Sequence, residues 1–443
     1  MTRSAALIAA FGLLSACAGA GDARDTVDAA ADADVLQTDQ DLVEADEAAA
    51  ADSGDDAAAD TASPDAAPDL PGPTPDATAE VSPDALPAQD CDEGHVVYAG
   101  DVSAFDRCSV VRWLAVEGCD GEATTVTLPA LEATTESVTL CLDAGDVVSM
   151  PALRTAVGLT IGYRGAATLE VSKLEIASDL TLEINQFLVE LTLPGIVGAD
   201  GTLALGGTSG AQTLSLPDLA HIGRIDTFGT ATDRLSLPAL VTAGRIDAGG
   251  LLFSWLDTPA LTEVTGDVNI GARDFAEMNA PLLARIGGNY RHTVGPFDTH
   301  PGLPALERVG GDLRVARTPC ESEDCGAFES SGPATFPYPV LTQISGELII
   351  VDLPAATELS LPLLGHAGGV RIADNPALTS LALPSLVTVG GDLSITDNGS
   401  LPECLALALA ASVTVSGATE ISGNRAECAC SRTAPPVATC VEP

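Results

Sequence analysis

The feature that most constrains this chain is an internal repeat. A unit close to Leu-x-Leu-Pro-x-Leu recurs, and Gly-x-Leu-x-Ile follows eight to ten residues after its first leucine. Its proline falls at Pro129, Pro151, Pro194, Pro217, Pro238, Pro259, Pro281, Pro304, Pro339, Pro362 and Pro384, with spacings of 21 to 23 residues broken by one of 43 and one of 35. The 43 hides a unit, Leu169 to Leu174, in which Ser172 replaces the proline. The 35 contains an insertion near 316–335 that carries Cys320 and Cys325. About twelve units with a mean period near 22 are therefore legible, which is the signature of a solenoid.

Strand geometry explains one unit. Alternation such as Leu235-x-Leu237 sends one set of side chains inward and the other outward. Two short strands per coil, separated by proline and glycine corners, cannot close a core alone; stacked coils can. Proline has no N–H and belongs at a strand end. The pairs Gly287-Gly288, Gly310-Gly311, Gly368-Gly369 and Gly390-Gly391 are expected to supply positive φ at tight corners. Asn375, Asn398 and Asn424 follow strands where a left-handed turn is expected. With coils about 4.8 Å apart, twelve make a rod on the order of 60 Å long.

The fullest units are Leu381-x-Leu383-Pro384-x-Leu386-x-x-Val389-Gly390-Gly391-x-Leu393-x-Ile395-x-x-Asn398 and its counterpart beginning at Leu359. They resemble the receptor L-domain and leucine-rich-repeat superfamily over roughly residues 127–424. That resemblance implies an all-β, right-handed parallel β-solenoid that binds a protein or a glycan. The chain departs from a conventional leucine-rich repeat in having more prolines and no long helical segment after each strand.

The N-terminus carries an address. Arg3, the apolar run Ala5 to Leu14 and then Leu14-Ser15-Ala16-Cys17 make a secretory signal over 1–16. These residues resemble the bacterial lipobox, which implies acylation of Cys17, a membrane anchor and, with Ala18 next, the outer membrane. Residues 18–90 hold 20 acidic side chains against Arg24 alone, with no aromatic or cysteine. Such composition cannot bury enough apolar area to offset chain entropy, so 17–90 reads as a disordered acidic stalk. It contains no Asp-x-Asp-x-Asp-Gly spacing for calcium. The whole chain has a formal net charge of −44, which speaks against nucleic-acid partners.

With Cys17 lipidated, ten of the 11 cysteines remain. They form even clusters: Cys91, Cys108, Cys119 and Cys141; Cys320 and Cys325; Cys404, Cys428, Cys430 and Cys440. In an oxidising compartment this predicts five disulfides within clusters, although each four-cysteine cluster permits three connectivities. Cys428-x-Cys430 is too thin a hint for zinc. Clusters 91–141 and 403–443 stand where a solenoid needs caps, the first together with the opening coil, on either side of repeats spanning 142–402. Pro402 and the Ala- and Leu-rich segment Glu403–Ser412 predict a capping helix.

No catalytic constellation, metal-ligand spacing or cofactor fingerprint is present, so the chain reads as non-enzymatic with no cofactor. His292 occupies an inward position equivalent to Val315 one unit later and reads as a core histidine. Positions two and four before each proline should stack into outward columns. Three neighbouring units place Arg234 with Ser236, Trp255 with Asp257, and Glu277 with Asn279 there, and His300 follows. A tryptophan among mixed polar groups on one rigid strip has the composition of a binding patch. Eight of the 15 aromatics also lie between Phe253 and Tyr338.

The expected function is that of a monomeric, exported envelope lipoprotein whose solenoid binds protein or glycan. A passive spacer or coat role is the alternative. A β-helix carbohydrate-active enzyme is a third, for which Asp257 and Glu277 are the only carboxylate pair to nominate.

Overall fold

A computed structural model describes residues 91, 94–98, 107–117, 123–184, 190–206, 213–227, 232–249, 253–271, 277–294, 302–317, 333–426, 429–430 and 440–441. The signal segment, Cys17, the acidic stretch to residue 90, His300, Cys119, Cys320, Cys325 and Cys428 lie outside these. The described part is an all-β parallel solenoid with coils of about 22 residues, about twelve of them. Ile225 pairs with Ile246, and Ile246 with Val268, so successive coils meet 21 and 22 residues apart. The insertion leaves the stack unbroken, because Val315 pairs directly with Ile350. Thr168–Glu170 pairs with Val147–Ser149, so the unit carrying Ser172 is a full coil.

Each regular coil presents three strand positions rather than the expected two. One precedes the proline, as in Arg234–Ser236. The other two flank the glycine corner and join the large sheet, 24-stranded among the described residues. In Thr242–Ala248 they merge into one bent strand, its first half pairing with Glu263–Val264 and its second with Val268–Gly271. The corner hides this division, because alternation on either side of a glycine reads as a single strand.

The proline corner is a β-turn. In Leu237-Pro238-Ala239-Leu240 the Leu240 N–H donates to the Leu237 carbonyl at 3.2 Å, and the same bond recurs from Leu283 to Ala280 and from Leu386 to Leu383, each at 3.2 Å. Proline suits the second position of such a turn, and no positive φ occurs at Ala239. The residue before the proline still serves the ladder, since the Leu237 N–H donates to the Asp257 carbonyl at 2.8 Å.

The glycine corners correct the expectation of positive φ. None of the four glycine pairs has one; among the described residues the positive-φ glycines are Gly145, Gly195 and Gly423. Close approach between coils is the actual requirement. A Cβ on Gly287 would overlap the Thr265 carbonyl oxygen, and one on Gly310 would overlap that of Gly287. An Asp or Asn at this corner also accepts an N–H of the next coil. Asp267 takes that of Asn289 at 2.7 Å, Asn289 that of Asp312 at 2.8 Å, and Asp312 that of Glu347 at 2.8 Å.

The three asparagines are placed differently from expectation as well. The left-handed residues are Asp374 (φ 57°), Asp397 (φ 56°) and Gly423 (φ 70°), each immediately before its asparagine. That turn drives the asparagine inward, where Asn375 and Asn398 are fully buried. Asn398 Nδ2 donates to the Ile372 carbonyl at 3.0 Å and to Asn424 Oδ1 at 3.1 Å, while its own Oδ1 accepts from Asn375 Nδ2 at 3.0 Å. An unmet partner in such a chain costs about 1–3 kcal/mol, so the buried ladder is tolerated because it is satisfied.

The core is a stack of leucine, isoleucine and valine columns. Leu235, Leu237, Leu240 and Ile246 of one coil are completely buried, and full burial of each such side chain contributes about 1.5–3 kcal/mol. His292 is also buried in this core, paired in register with Ile270 and Val315.

At the N-terminal end His95–Tyr98 and Leu114–Glu117 already belong to the large sheet, and a Cys91–Cys108 disulfide closes this region. Cys141 and Cys404 are also disulfide-bonded. At the C-terminal end helix Glu403–Ser412 forms as expected, starting after Pro402 and burying Ala406 and Leu409. Cys430 and Cys440 stand opposite each other on a short antiparallel pair.

Close coil approach is directly testable. Gly310→Val is expected to lower unfolding free energy by about 1–3 kcal/mol. Gly399 has open space around its Cβ position, so Gly399→Ala should stay within about 0.5 kcal/mol of wild type. Urea denaturation distinguishes the two; equal effects would contradict the stacking argument.

Candidate functional site

The outward columns predicted from the proline register exist. Arg234 pairs with Trp255 and Trp255 with Glu277, while Ser236 pairs with Asp257 and Asp257 with Asn279. Leu235, Leu256 and Met278 between them are buried, so strand alternation turns both columns to the surface. Parallel pairing holds them on a five-stranded sheet that begins at Glu190–Thr192.

The side chains organise one another. The Arg234 guanidinium carbon lies 5.0 Å from the Trp255 ring centroid, a cation–π contact worth about 0.5–1 kcal/mol at an open site. Asp233 steadies the same guanidinium at 3.5 Å and also accepts a hydrogen bond from Ser254 Oγ. In the second column Asn279 Nδ2 donates to Asp257 Oδ1 at 2.6 Å and Ser236 Oγ donates to Asp257 Oδ2 at 3.4 Å. Glu277 is exposed at the end of the first column. The result is a preordered platform: a half-open indole face, a guanidinium, and a carboxylate bound to an amide. It can stack on a flat apolar surface and exchange hydrogen bonds with hydroxyl or amide groups. Asp257 and Glu277 occupy different columns of adjacent coils, and both oxygens of Asp257 are engaged.

Aromatic clustering has a different cause from the one the sequence implied. Phe253, Tyr290, Phe336 and Tyr338 are buried, and the Tyr290 and Tyr338 rings meet edge to face at 6.2 Å. They fill the core. Of the described aromatics between Phe253 and Tyr338, Trp255 is the one on the strip.

A second polar cluster escaped the sequence reading. Asp247 is buried on the large sheet, its side chain only 4% exposed. Arg224 and Arg245 both reach its Oδ2 at 2.8 Å, and Asn269 Nδ2 donates to its Oδ1 at 2.7 Å. Arg224 also meets Asp226 at 2.9 Å. Burial pushes the Asp247 carboxyl up, but the hydrogen bonds from Arg245 and Asn269 and the charges of Arg245 and Arg224 outweigh it, holding the group below its usual range. The signal was present as Gly-Arg-Ile-Asp at 223–226 and again at 244–247. Both carboxylate oxygens of Asp247 are committed internally, so the cluster ties three coils together.

Among the described residues no group of three or more His, Cys, Asp or Glu side chains is arranged to hold a metal ion. Comparison with known proteins gives no family: no family pattern matches the chain, and no curated protein matches it.

Asp247 makes stability depend on acid. A carboxyl depressed by folding contributes stability above its unfolded value, near pH 4, and loses it as pH falls through the folded value. Asp247→Asn is therefore expected to cost about 1–3 kcal/mol at neutral pH. In urea titrations the gap to wild type should narrow in strong acid; a gap that widens would contradict the assignment.

Proposed function

We propose that this chain is an exported, lipid-anchored binding protein of the bacterial envelope, in which the solenoid presents the Arg234–Trp255–Asp257–Asn279 strip to a protein or glycan. The observation that carries the reading is the Arg234 guanidinium held 5.0 Å over the Trp255 ring on a rigid parallel sheet. An aromatic face prepared in this way costs little ordering entropy when a ligand arrives. Its neighbours Asp257 and Asn279 add directional hydrogen-bonding groups. No covalent chemistry is assigned to the strip, and no cofactor is invoked.

Kinship with receptor L-domains is part of this proposal. It is supported by coils of about 22 residues and by the buried asparagines at the end of the repeating motif. Anchoring rests on the sequence Leu14-Ser15-Ala16-Cys17, followed by Ala18 for the outer membrane. Acyl chains on Cys17 would hold the protein at the bilayer, each buried methylene adding about 0.8 kcal/mol.

Two measurements test the proposal. On a combined glycan and envelope-protein array, wild type should retain ligands that Trp255→Ala loses by roughly tenfold or more in affinity; identical retention would remove the strip and leave a spacer. Metabolic labelling with a clickable fatty acid should tag wild type but not Cys17→Ser, and a labelled variant would overturn the anchor.

A further inference from the structure

The outward rows that carry Trp255 continue beyond the strip toward the N-terminus. Glu190 pairs in register with Thr213 and Thr213 with Arg234, while Thr192 pairs with Ser215 and Ser215 with Ser236. Leu191 and Leu214 between them are buried, so both rows stay on the surface over five successive coils. One row reads Thr192, Ser215, Ser236, Asp257, Asn279, and every member carries a hydroxyl, carboxylate or amide. The other reads Glu190, Thr213, Arg234, Trp255, Glu277, with charge of alternating sign on every second coil. Asp233 balances Arg234 further, at 3.5 Å. Trp255 is the one large apolar side chain in either row.

We infer that these two rows form one continuous site for a linear, uncharged polysaccharide lying along the solenoid axis. The inference rests on the strip proposed above and names its ligand class. Repeat distance carries the argument. Coils stack about 4.8 Å apart, close to the length of one sugar ring in an extended chain, so successive rings meet a polar side chain in turn. An extended peptide laid across the strands repeats its side chains on one face every ~6.8 Å and falls out of step. Charge selects against ionic polymers, because one with a charge on every ring meets Glu190, Arg234 and Glu277 in opposition. Hydroxyl, amide and carboxylate side chains exchange hydrogen bonds with sugar hydroxyls as donors and acceptors. Trp255 gives the apolar face of one ring a surface to stack on. A folded protein needs a cluster of apolar anchors and about 800 Å² of surface from each partner, whereas this ribbon is two side chains wide and holds a single aromatic.

The test is calorimetric titration of the full chain with cellohexaose, chitohexaose and mannohexaose, then with the shorter members of whichever series binds. Hexagalacturonate and hexalysine serve as charged controls. At least one neutral hexasaccharide should bind, and added salt should leave its affinity unchanged. Affinity should rise about tenfold or more from disaccharide to pentasaccharide and level off there, because five coils supply the contacts. Thr192→Val combined with Ser215→Ala, both two or more coils from the indole, should weaken the hexasaccharide by about three- to tenfold. If that double variant has a lowered urea midpoint, the length series of wild type decides alone. No binding of any neutral hexasaccharide, affinity that does not grow with length, a folded double variant that binds like wild type, or tighter salt-sensitive binding of either charged control would overturn the inference. If it fails while Trp255→Ala still loses a protein ligand on the array, the strip stands and its ligand is a protein; if Trp255→Ala loses nothing, both fall.

Discussion

Everything in this molecule depends on backbone hydrogen bonds that run from one coil to the next. A single coil of about 22 residues has no partner for its strand N–H and carbonyl groups, and its leucines have nothing to pack against except the coils above and below. The ladder therefore dictates the side chains. Where coils approach most closely, at the Gly287 and Gly310 corners, a Cβ would strike a carbonyl oxygen, so glycine is retained for space. Where the chain must turn without a ladder donor, proline supplies a corner that needs none.

The same stacking makes polar residues cooperative along the solenoid. Asn375, Asn398 and Asn424 are acceptable inside because each satisfies its neighbour. Asp267, Asn289 and Asp312 do the equivalent job at the glycine corner. Asp247 gathers Arg224, Arg245 and Asn269 from three successive coils. Any outward position is likewise copied at a fixed interval, which converts one side chain per coil into a row. On the proline side such rows set an indole beside a guanidinium.

Much of this was legible from spacing alone. The proline period places Arg234, Trp255 and Glu277 in one column and Ser236, Asp257 and Asn279 in the next, because strand alternation depends on nothing but position. The capping helix at Glu403–Ser412 was readable from its leucine and alanine content after Pro402. Other features needed coordinates. The third strand of each coil is concealed because a bent strand and a straight one have the same alternation. The reason for the glycines was misread, since sequence cannot separate a need for positive φ from a need for room. The left-handed turn falls on Asp374 and Asp397, one residue ahead of the asparagines that seemed to mark it. The aromatics near the insertion turned out to be core filling, because composition records how many rings a stretch has and not which way they face.

Hydrogen exchange followed by mass spectrometry on the folded chain is the most direct test of the stacked-coil account. Segments 242–248, 290–294 and 369–373 carry inter-coil bonds on both sides. Their amides should be slow to exchange, with protection rising and falling at the coil period across the described residues. Fast exchange throughout these segments, or protection without that period, would contradict it.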